Sequence, residues 1–391
     1  VLPIVDILIA VLLVAALVTG LRMGLFSALG ALCGLVAAGL AAPWVLPLLA
    51  GAVVDHAWRP TAVVAGAVAL LALGAAVGAA LGGVIRRGAD RLRLRIVERL
   101  LGGVLSLVAA ALAIALTGAG VASAGIPVVS SAVASSSLLR TVDRATPPPV
   151  AEAMARLHSA VLGDTVLPTI SGLLGDAQAP SAEGVDTDDP ELRAAAGSVA
   201  RIHGVAYACG RSATGSGFVA AEDRIVTNAH VVAGMETPIV ELPGEPARDG
   251  RVVYFDPVDD LAVIAVDVDA SPLPVVDPLR AGDAAAVQGY PYGGPFRTEP
   301  AGVAAVGAAP IADIYGGAPA PREIYALTAE VHPGNSGGPV LTGDGAVAGV
   351  VFARDEVQAS VGYAMSTAEL RPVLEQLGSA TQAVPTGECV S

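Results

Sequence analysis

The chain has 391 residues, 54% hydrophobic, 4% aromatic and 15% charged, and its mean hydropathy of +0.66 is too high for an ordinary soluble enzyme, which excludes a disordered, collagen-like or disulfide-dense miniature chain. The net charge of −14 is uneven, with eight Arg against four acids in residues 1–122 and −18 on the remainder, so the two halves face different environments. All 22 basic residues are Arg, which removes a Ser-Lys dyad, a Schiff-base lysine and a Lys-dependent phosphate loop, and the acidic second half argues against nucleic acid as a partner.

Four apolar stretches, Ile4–Gly20, Leu25–Leu49, Thr61–Ile85 and Leu101–Val121, have the roughly 20 residues that a bilayer crossing needs. Val1–Thr19 has no basic leader and three more such stretches follow, so the sequence predicts a retained four-helix transmembrane anchor over 1–122 rather than a cleaved signal. Arg22 and the cluster Arg86, Arg87, Arg91, Arg93, Arg95 and Arg99 fall in the first and third connections. Short Arg-rich loops stay in the cytoplasm, which places the N-terminus and everything after Val121 outside. Trp44 and Trp58 suit the outer interface. Gly74, Gly78 and Gly82 share a helix face, as do Gly30 and Gly34, so helix packing is expected there.

Residues 123–198 turn to Ser, Pro, Asp and Ala and read as a linker. Thr146–Pro149 predicts a stiff extended spacer, and Val150–Leu162 predicts a short amphipathic helix that docks on the following domain. Asp186–Glu191 predicts an exposed, cleavage-accessible loop.

From residue 199 to 391, short Val, Ile and Tyr runs punctuated by Gly, Pro and Asp predict about a dozen strands and an all-β domain. Two of the expected strands are Gly217–Val219 and Gly302–Ala309. Helix-strand alternation is lacking, which disfavours doubly wound folds.

Three local sequences carry chemistry. Ile225–His230 reads Ile-Val-Thr-Asn-Ala-His, a strand running into a turn at His230. Asp259–Ile264 reads Asp-Asp-Leu-Ala-Val-Ile, an acid before a buried strand, and Pro333–Pro339 reads Pro-Gly-Asn-Ser-Gly-Gly-Pro, a glycine loop presenting Ser336. A serine hydroxyl needs an imidazole to take its proton, and the imidazole needs a carboxylate to hold its tautomer. Ser336, His230 and Asp260 fit those catalytic roles. Asp256 and Asp259 compete with Asp260, which is preferred because it directly precedes the Leu-Ala-Val-Ile strand. The N–H groups of Gly334 and Ser336 would form the oxyanion hole.

Thr-Asn-Ala-His, Asp-Leu-Ala-Val and Gly-Asn-Ser-Gly-Gly-Pro resemble the chymotrypsin-like serine endopeptidases, especially their bacterial trypsin-like and HtrA-type branch. The N-terminal part resembles the colicin V production protein family. The pairing is similar to the actinobacterial membrane-anchored periplasmic serine proteases, a family linked to acid resistance and cell-envelope maintenance. The resemblance implies an all-β chymotrypsin-like double β-barrel with His230 and Asp260 from the first barrel and Ser336 from the second. It also implies protein or peptide substrates in the cell envelope, contact with the lipid bilayer, and no cofactor. Five scattered His without a Cys-x-x-Cys pair give no reason to expect a metal. Too little chain follows Ser366 for a PDZ domain.

Cys33 lies in the second apolar stretch, leaving Cys209 and Cys389 outside it. An oxidising compartment would let these two pair, free thiols being the alternative, and the resemblance implies a disulfide. Glu330, six residues before Ser336, is a candidate for the primary specificity pocket, where it would favour a basic side chain, and His332 reads as a loop or subsite residue. The strand Ala346–Phe352 should offer main-chain hydrogen bonds to an extended substrate. A free imidazole protonates below about 6.5, so the resemblance does not by itself imply an acid-optimal site. Activation with self-cleavage in the linker and a near-neutral optimum are the two expectations. The rival reading is a transporter or channel whose outer domain is a catalytically silent binding module.

Overall fold

The computed structural model describes residues 2–52, 59–89, 95–123, 129–162, 167–170, 185–206 and 211–390. The chain forms two compact units, Pro3–Ala115 and Leu116–Ser391, the latter with Val1–Leu2.

The first unit is helical: α1 (Leu2–Met23), α2 (Leu25–Ala52), α3 (Arg59–Ala89) and α4 (Arg95–Ser123), the last running on into the second unit. Among the described residues, Ile4–Met23 in α1 and Ile96–Ala115 in α4 are long and apolar enough to cross a membrane, and Leu25–Ala38 and Ala72–Val84 are shorter apolar pieces. The glycine repeats do what their spacing predicts. A methyl group on Gly34 would collide with the Gly74 carbonyl, and one on Gly30 with the Gly78 carbonyl, so the backbones of α2 and α3 are in contact. Arg91, Arg93 and Trp58, and the side chains of Arg86, Arg87, Arg95 and Trp44, lie outside the described residues.

The linker is more structured than its composition suggests. It forms α5 (Val129–Ala134), α6 (Ser137–Ala145) and α7 (Pro148–Leu162). The expected extended spacer at Thr146–Pro149 is corrected: only Thr146 and Pro147 separate two helices. Pro148 opens α7 because a first-turn residue needs no N–H partner. Ser136 caps α6 by accepting from the Leu139 N–H at 3.2 Å. The linker also docks on the β structure, with Ser135 Oγ donating to the Ala247 carbonyl and Arg140 to the Glu245 carbonyl.

After β1 (Thr169–Ile170) and α8 (Pro190–Ala195) come β2 (Val199–Ala206), β3 (Arg211–Ala221), β4 (Arg224–Thr227), α9 (Ala229–Val232), β5 (Ile239–Glu241), β6 (Arg248–Asp249), β7 (Arg251–Asp256) and β8 (Leu261–Ala265). Then follow β9 (Ala284–Gly289), β10 (Arg297–Ile311), β11 (Ala320–Thr328), β12 (Pro339–Leu341), β13 (Val347–Asp355), β14 (Val361–Ser366) and α10 (Thr367–Leu374). They build two seven-stranded sheets, ordered β6-β5-β2-β3-β4-β8-β7 and β1-β13-β12-β9-β10-β11-β14, with β13 also pairing β14. The expected short strands Gly217–Val219 and Gly302–Ala309 are pieces of β3 and β10, which have 11 and 15 residues. Gly215, Pro300 and Gly302 look like punctuation but sit inside paired strands. Phe218, Val226 and Leu261 of the first sheet share a buried core with Ile324, Phe352 and Tyr363 of the second.

Candidate active site

The first sheet supplies the imidazole and the carboxylate. Strand β4 is buried along Ile225–Thr227 and leads into the single helical turn α9, which carries His230. Asp260 closes the turn between β7 and β8, which pair antiparallel. Its φ of 54° is a left-handed value that aspartate tolerates better than most residues. That backbone aims both carboxylate oxygens at one partner: Asp260 Oδ1 accepts from the His230 N–H at 2.9 Å, and Oδ2 lies 2.8 Å from His230 Nδ1. With Nδ1–H donating to Asp260, His230 Nε2 is left as an acceptor, and it is buried without a hydrogen-bond partner.

The competing acids go elsewhere. Asp256 Oδ1 accepts from the Val258 and Asp259 N–H groups and so shapes the turn. Burial, then the neighbouring Asp256, pushes the Asp259 carboxyl above its usual range. Asn228 is buried and donates through Nδ2 to the Asp260 carbonyl at 2.8 Å, fixing the turn from the other side.

The serine loop comes from the second sheet and is seated on the first. The Ser216 N–H of β3 donates to the Ser336 carbonyl at 2.8 Å, and Ser216 Oγ donates to the Gly334 carbonyl at 2.7 Å. Tyr290 N–H donates to the same Oγ at 2.9 Å. Gly337 lies so close to the Ser216 carbonyl, Thr227 Oγ1 and the Asn228 N–H that no side chain fits there. Ser336, 2% exposed, is thus anchored through its backbone to strands adjoining His230. Its Oγ makes no hydrogen bond to His230 Nε2. Neither the Gly334 nor the Ser336 N–H donates to a described acceptor, so both are free to serve an incoming oxygen.

Ser216, Asn228 and Thr227 were not anticipated from the sequence. Thr-Gly-Ser-Gly-Phe at 214–218, a serine between two glycines just before the histidine strand, was the available signal. Glu330 stands apart, its side chain 65% exposed and 3.5 Å from His332 Nε2. Burial lowers the His332 imidazole below its ordinary range, Glu330 opposing and Arg156 and Arg354 adding to the effect. A cavity of about 530 Å³ beside the pair is lined by His230, Asp260, Thr214, Ile311, Arg322 and Phe352, and the linker residues Pro168–Ile170 also reach it. Cys389 is described, while Cys209 lies outside the described residues.

Residues 215–350 match the trypsin-like peptidase domain family and residues 5–147 match the Colicin V production protein family. The chain is 35% identical to the serine protease Rv3671c (MarP) of Mycobacterium tuberculosis over 272 residues, 68% of each protein. It is 36% identical over 171 residues to the putative serine protease HhoB of Synechocystis sp., covering 42% of this chain and 40% of that one. The crystal structure of the active form of the Rv3671c protease superposes with a TM-score of 0.53 at 35% identity, over 58% of this chain and all of that one. The apolar helices and the Colicin V match together support a membrane anchor. The chain belongs to the Rv3671c family of serine proteases and is a serine endopeptidase.

Proposed function

We propose that the chain is a multi-pass membrane-anchored endopeptidase that hydrolyses peptide bonds outside the cytoplasm through Ser336, His230 and Asp260. The observation that carries the reading is the His230–Asp260 pair, whose Nε2 is buried and unpartnered beside the docked serine loop. Asp260 holds the Nδ1–H tautomer and Nε2 accepts the Ser336 proton as Oγ attacks the substrate carbonyl. The Gly334 and Ser336 N–H groups take the oxyanion, and loss of one such donor costs roughly 3 kcal/mol of transition-state stabilisation. Nε2 then returns the proton to the leaving amine, and water, deprotonated by the same nitrogen, releases the acyl group.

The finer organisation follows from the same reading. Residues 1–122 are a four-span anchor, 123–198 a linker and 199–391 a double-barrel protease domain, the barrel reading being supported by the additional β13–β14 pairing. The Arg-rich connections face the cytoplasm and the N-terminus and protease domain lie outside. Cys209 and Cys389 form a disulfide. Its support is that a methyl group on Gly234 would touch both Cys389 Sγ and Ala206, which ends β2 three residues before Cys209. Glu330 faces basic substrate side chains, its carboxylate being exposed and only loosely paired. A peptide library that shows no preference for Arg or Lys removes that assignment.

Substrates are proteins or peptides of the cell envelope, bound as an extended strand along the end of β13 beyond its pairing with β12, since the expected Ala346–Phe352 run is itself paired by β12 and β14. A linker segment already lies there: the Arg354 N–H donates to the Pro168 carbonyl at 3.0 Å and the Glu356 N–H to the Ile170 carbonyl at 3.3 Å. Substrate must displace it, and its position supports self-cleavage in the linker as part of a stress-linked role in envelope maintenance under acid or oxidative conditions.

The deciding experiment treats membranes holding the full chain with a fluorophosphonate probe. Wild type is labelled and cleaves a peptide library, and Ser336→Ala does neither. Labelling that survives Ser336→Ala, or none in wild type, overturns the mechanism.

A further inference from the structure

The linker helix α7 crosses the turn at Pro291–Gly293, and three contacts fix it there. Ala155 sits where a side chain on Gly294 would have to be. Glu152 Oε2 accepts from the Arg297 guanidinium at 2.9 Å. The Arg156 guanidinium lies 5.6 Å over the Tyr292 ring, held in place by an ion pair to Glu152 one helical turn back. The same ring stacks on His332, with centroids 5.0 Å apart and planes 27° from parallel, and its hydroxyl lies 3.1 Å from His332 Nδ1.

Tyr292 is therefore clamped between the linker helix and a residue four positions before Ser336. Its backbone is unusual: φ 58° and ψ 20°, a left-handed conformation that a bulky residue keeps only when its surroundings impose it. In that conformation the Tyr292 N–H donates to the Pro333 carbonyl at 2.5 Å. The Pro333–Gly334 peptide is planar and trans. Pinning its carbonyl toward the turn points the Gly334 N–H the opposite way, away from the turn, and that N–H donates to no described acceptor. The Gly293 carbonyl, on the far side of the turn, accepts from Arg201 at 2.9 Å.

We propose that Arg156 and Tyr292 are positioning residues for the oxyanion hole: docked α7 holds the Tyr292 backbone in the one conformation that orients the Gly334 N–H. The linker is then part of the catalytic apparatus as well as a spacer. This inference rests on the Ser336 mechanism proposed above.

The test uses the full chain in membranes. Arg156→Ala lowers kcat about tenfold with KM within about twofold, because the donor is misplaced in the transition state rather than in ground-state binding. The rate of fluorophosphonate labelling falls in the same proportion. Arg156→Lys, which keeps a cation over the ring, recovers to within about threefold of wild type. Tyr292→Phe loses less than Tyr292→Gly, which frees the backbone but removes the ring. Wild-type kcat in Arg156→Ala, a loss confined to KM, or a Lys variant as impaired as the Ala variant overturns the inference while leaving the protease assignment intact. Absence of labelling in wild type overturns that assignment, and the inference with it.

Discussion

In the helical unit glycines meet glycines: Gly30 and Gly34 on α2 face Gly78 and Gly74 on α3, with no room for a methyl group. In the β unit the decisive glycines meet polar backbone instead. Gly334, at φ 95°, lies against the Tyr290 carbonyl and the N–H groups of the 291–293 turn, and Gly337, at φ 81°, against Ser216 and Asn228. Helix backbones have their hydrogen bonds satisfied internally, so close approach gains dispersion contacts alone. In the serine loop the absent side chain lets the backbone turn sharply and leaves N–H groups available for chemistry. The same residue thus builds an anchor in one unit and an active site in the other.

Substitutions can break this contrast, the largest effect coming from the polar site. Asp260→Asn is expected to lower kcat roughly 10⁴-fold by stabilising the wrong imidazole tautomer. Asp259→Asn stays within about threefold, as steady-state cleavage of one peptide by both variants will check. Equal losses in the two would show that Asp260 is not the orienting acid.

Gly74→Leu in the helical unit should destabilise α2–α3 packing by about 3 kcal/mol or more through overpacking. Its readout is reduced accumulation of folded chain in membranes, with the labelled fraction of what remains unchanged. A Gly74→Leu chain that accumulates normally would remove the close-packed interface.

The third effect belongs to a polar cluster on β2 and β5. Glu241 lies 2.6 Å from both Arg201 and His203. Burial alone would raise its carboxyl, but Arg201 and then His203 outweigh it and hold the value at about 2, from 4.5. A carboxylate with a lowered folded value contributes stability above its unfolded value, and that contribution disappears as pH falls toward the folded one. About 3 kcal/mol should therefore be present at neutral pH and be lost between about pH 4.5 and 2. Glu241→Gln should lower the melting temperature at pH 7 and flatten its acid dependence in that window. An unchanged acid profile would show that the cluster contributes nothing.

The smallest effect concerns the linker strand on β13. Ile170→Asp should weaken the self-docked segment and lower the apparent KM for a peptide about threefold at constant kcat, because less competing strand must be displaced. An unchanged KM would show that β1 does not compete with substrate.

Much of the site was legible because its parts are local. Thr-Asn-Ala-His, Asp-Leu-Ala-Val and Gly-Asn-Ser-Gly-Gly-Pro each combine a residue type with the turn or strand that presents it. Asp260 stands out from its neighbours by directly preceding the Leu-Ala-Val-Ile strand, but the left-handed backbone that aims its carboxylate at His230 follows from no spacing rule. Ser216 was missed because its importance lies in what it reaches across the fold, the carbonyls of Gly334 and Ser336. The long strands β3 and β10 were cut short because glycine and proline inside a ladder look like loop signals when the partner strands are unknown.

The sequence by itself determined the division into an apolar helical part and a β part, the helix-packing glycines and the His, Asp and Ser motifs, since periodicity, composition and short turns act over a few residues. The sequence also marks the helix of α7, but only the tertiary structure decided that α7 lies on Tyr292 and that Pro168–Ile170 lies along β13. Those contacts join residues more than 130 positions apart, and burial, charge and backbone pairing between such distant segments depend on where the chain brings them.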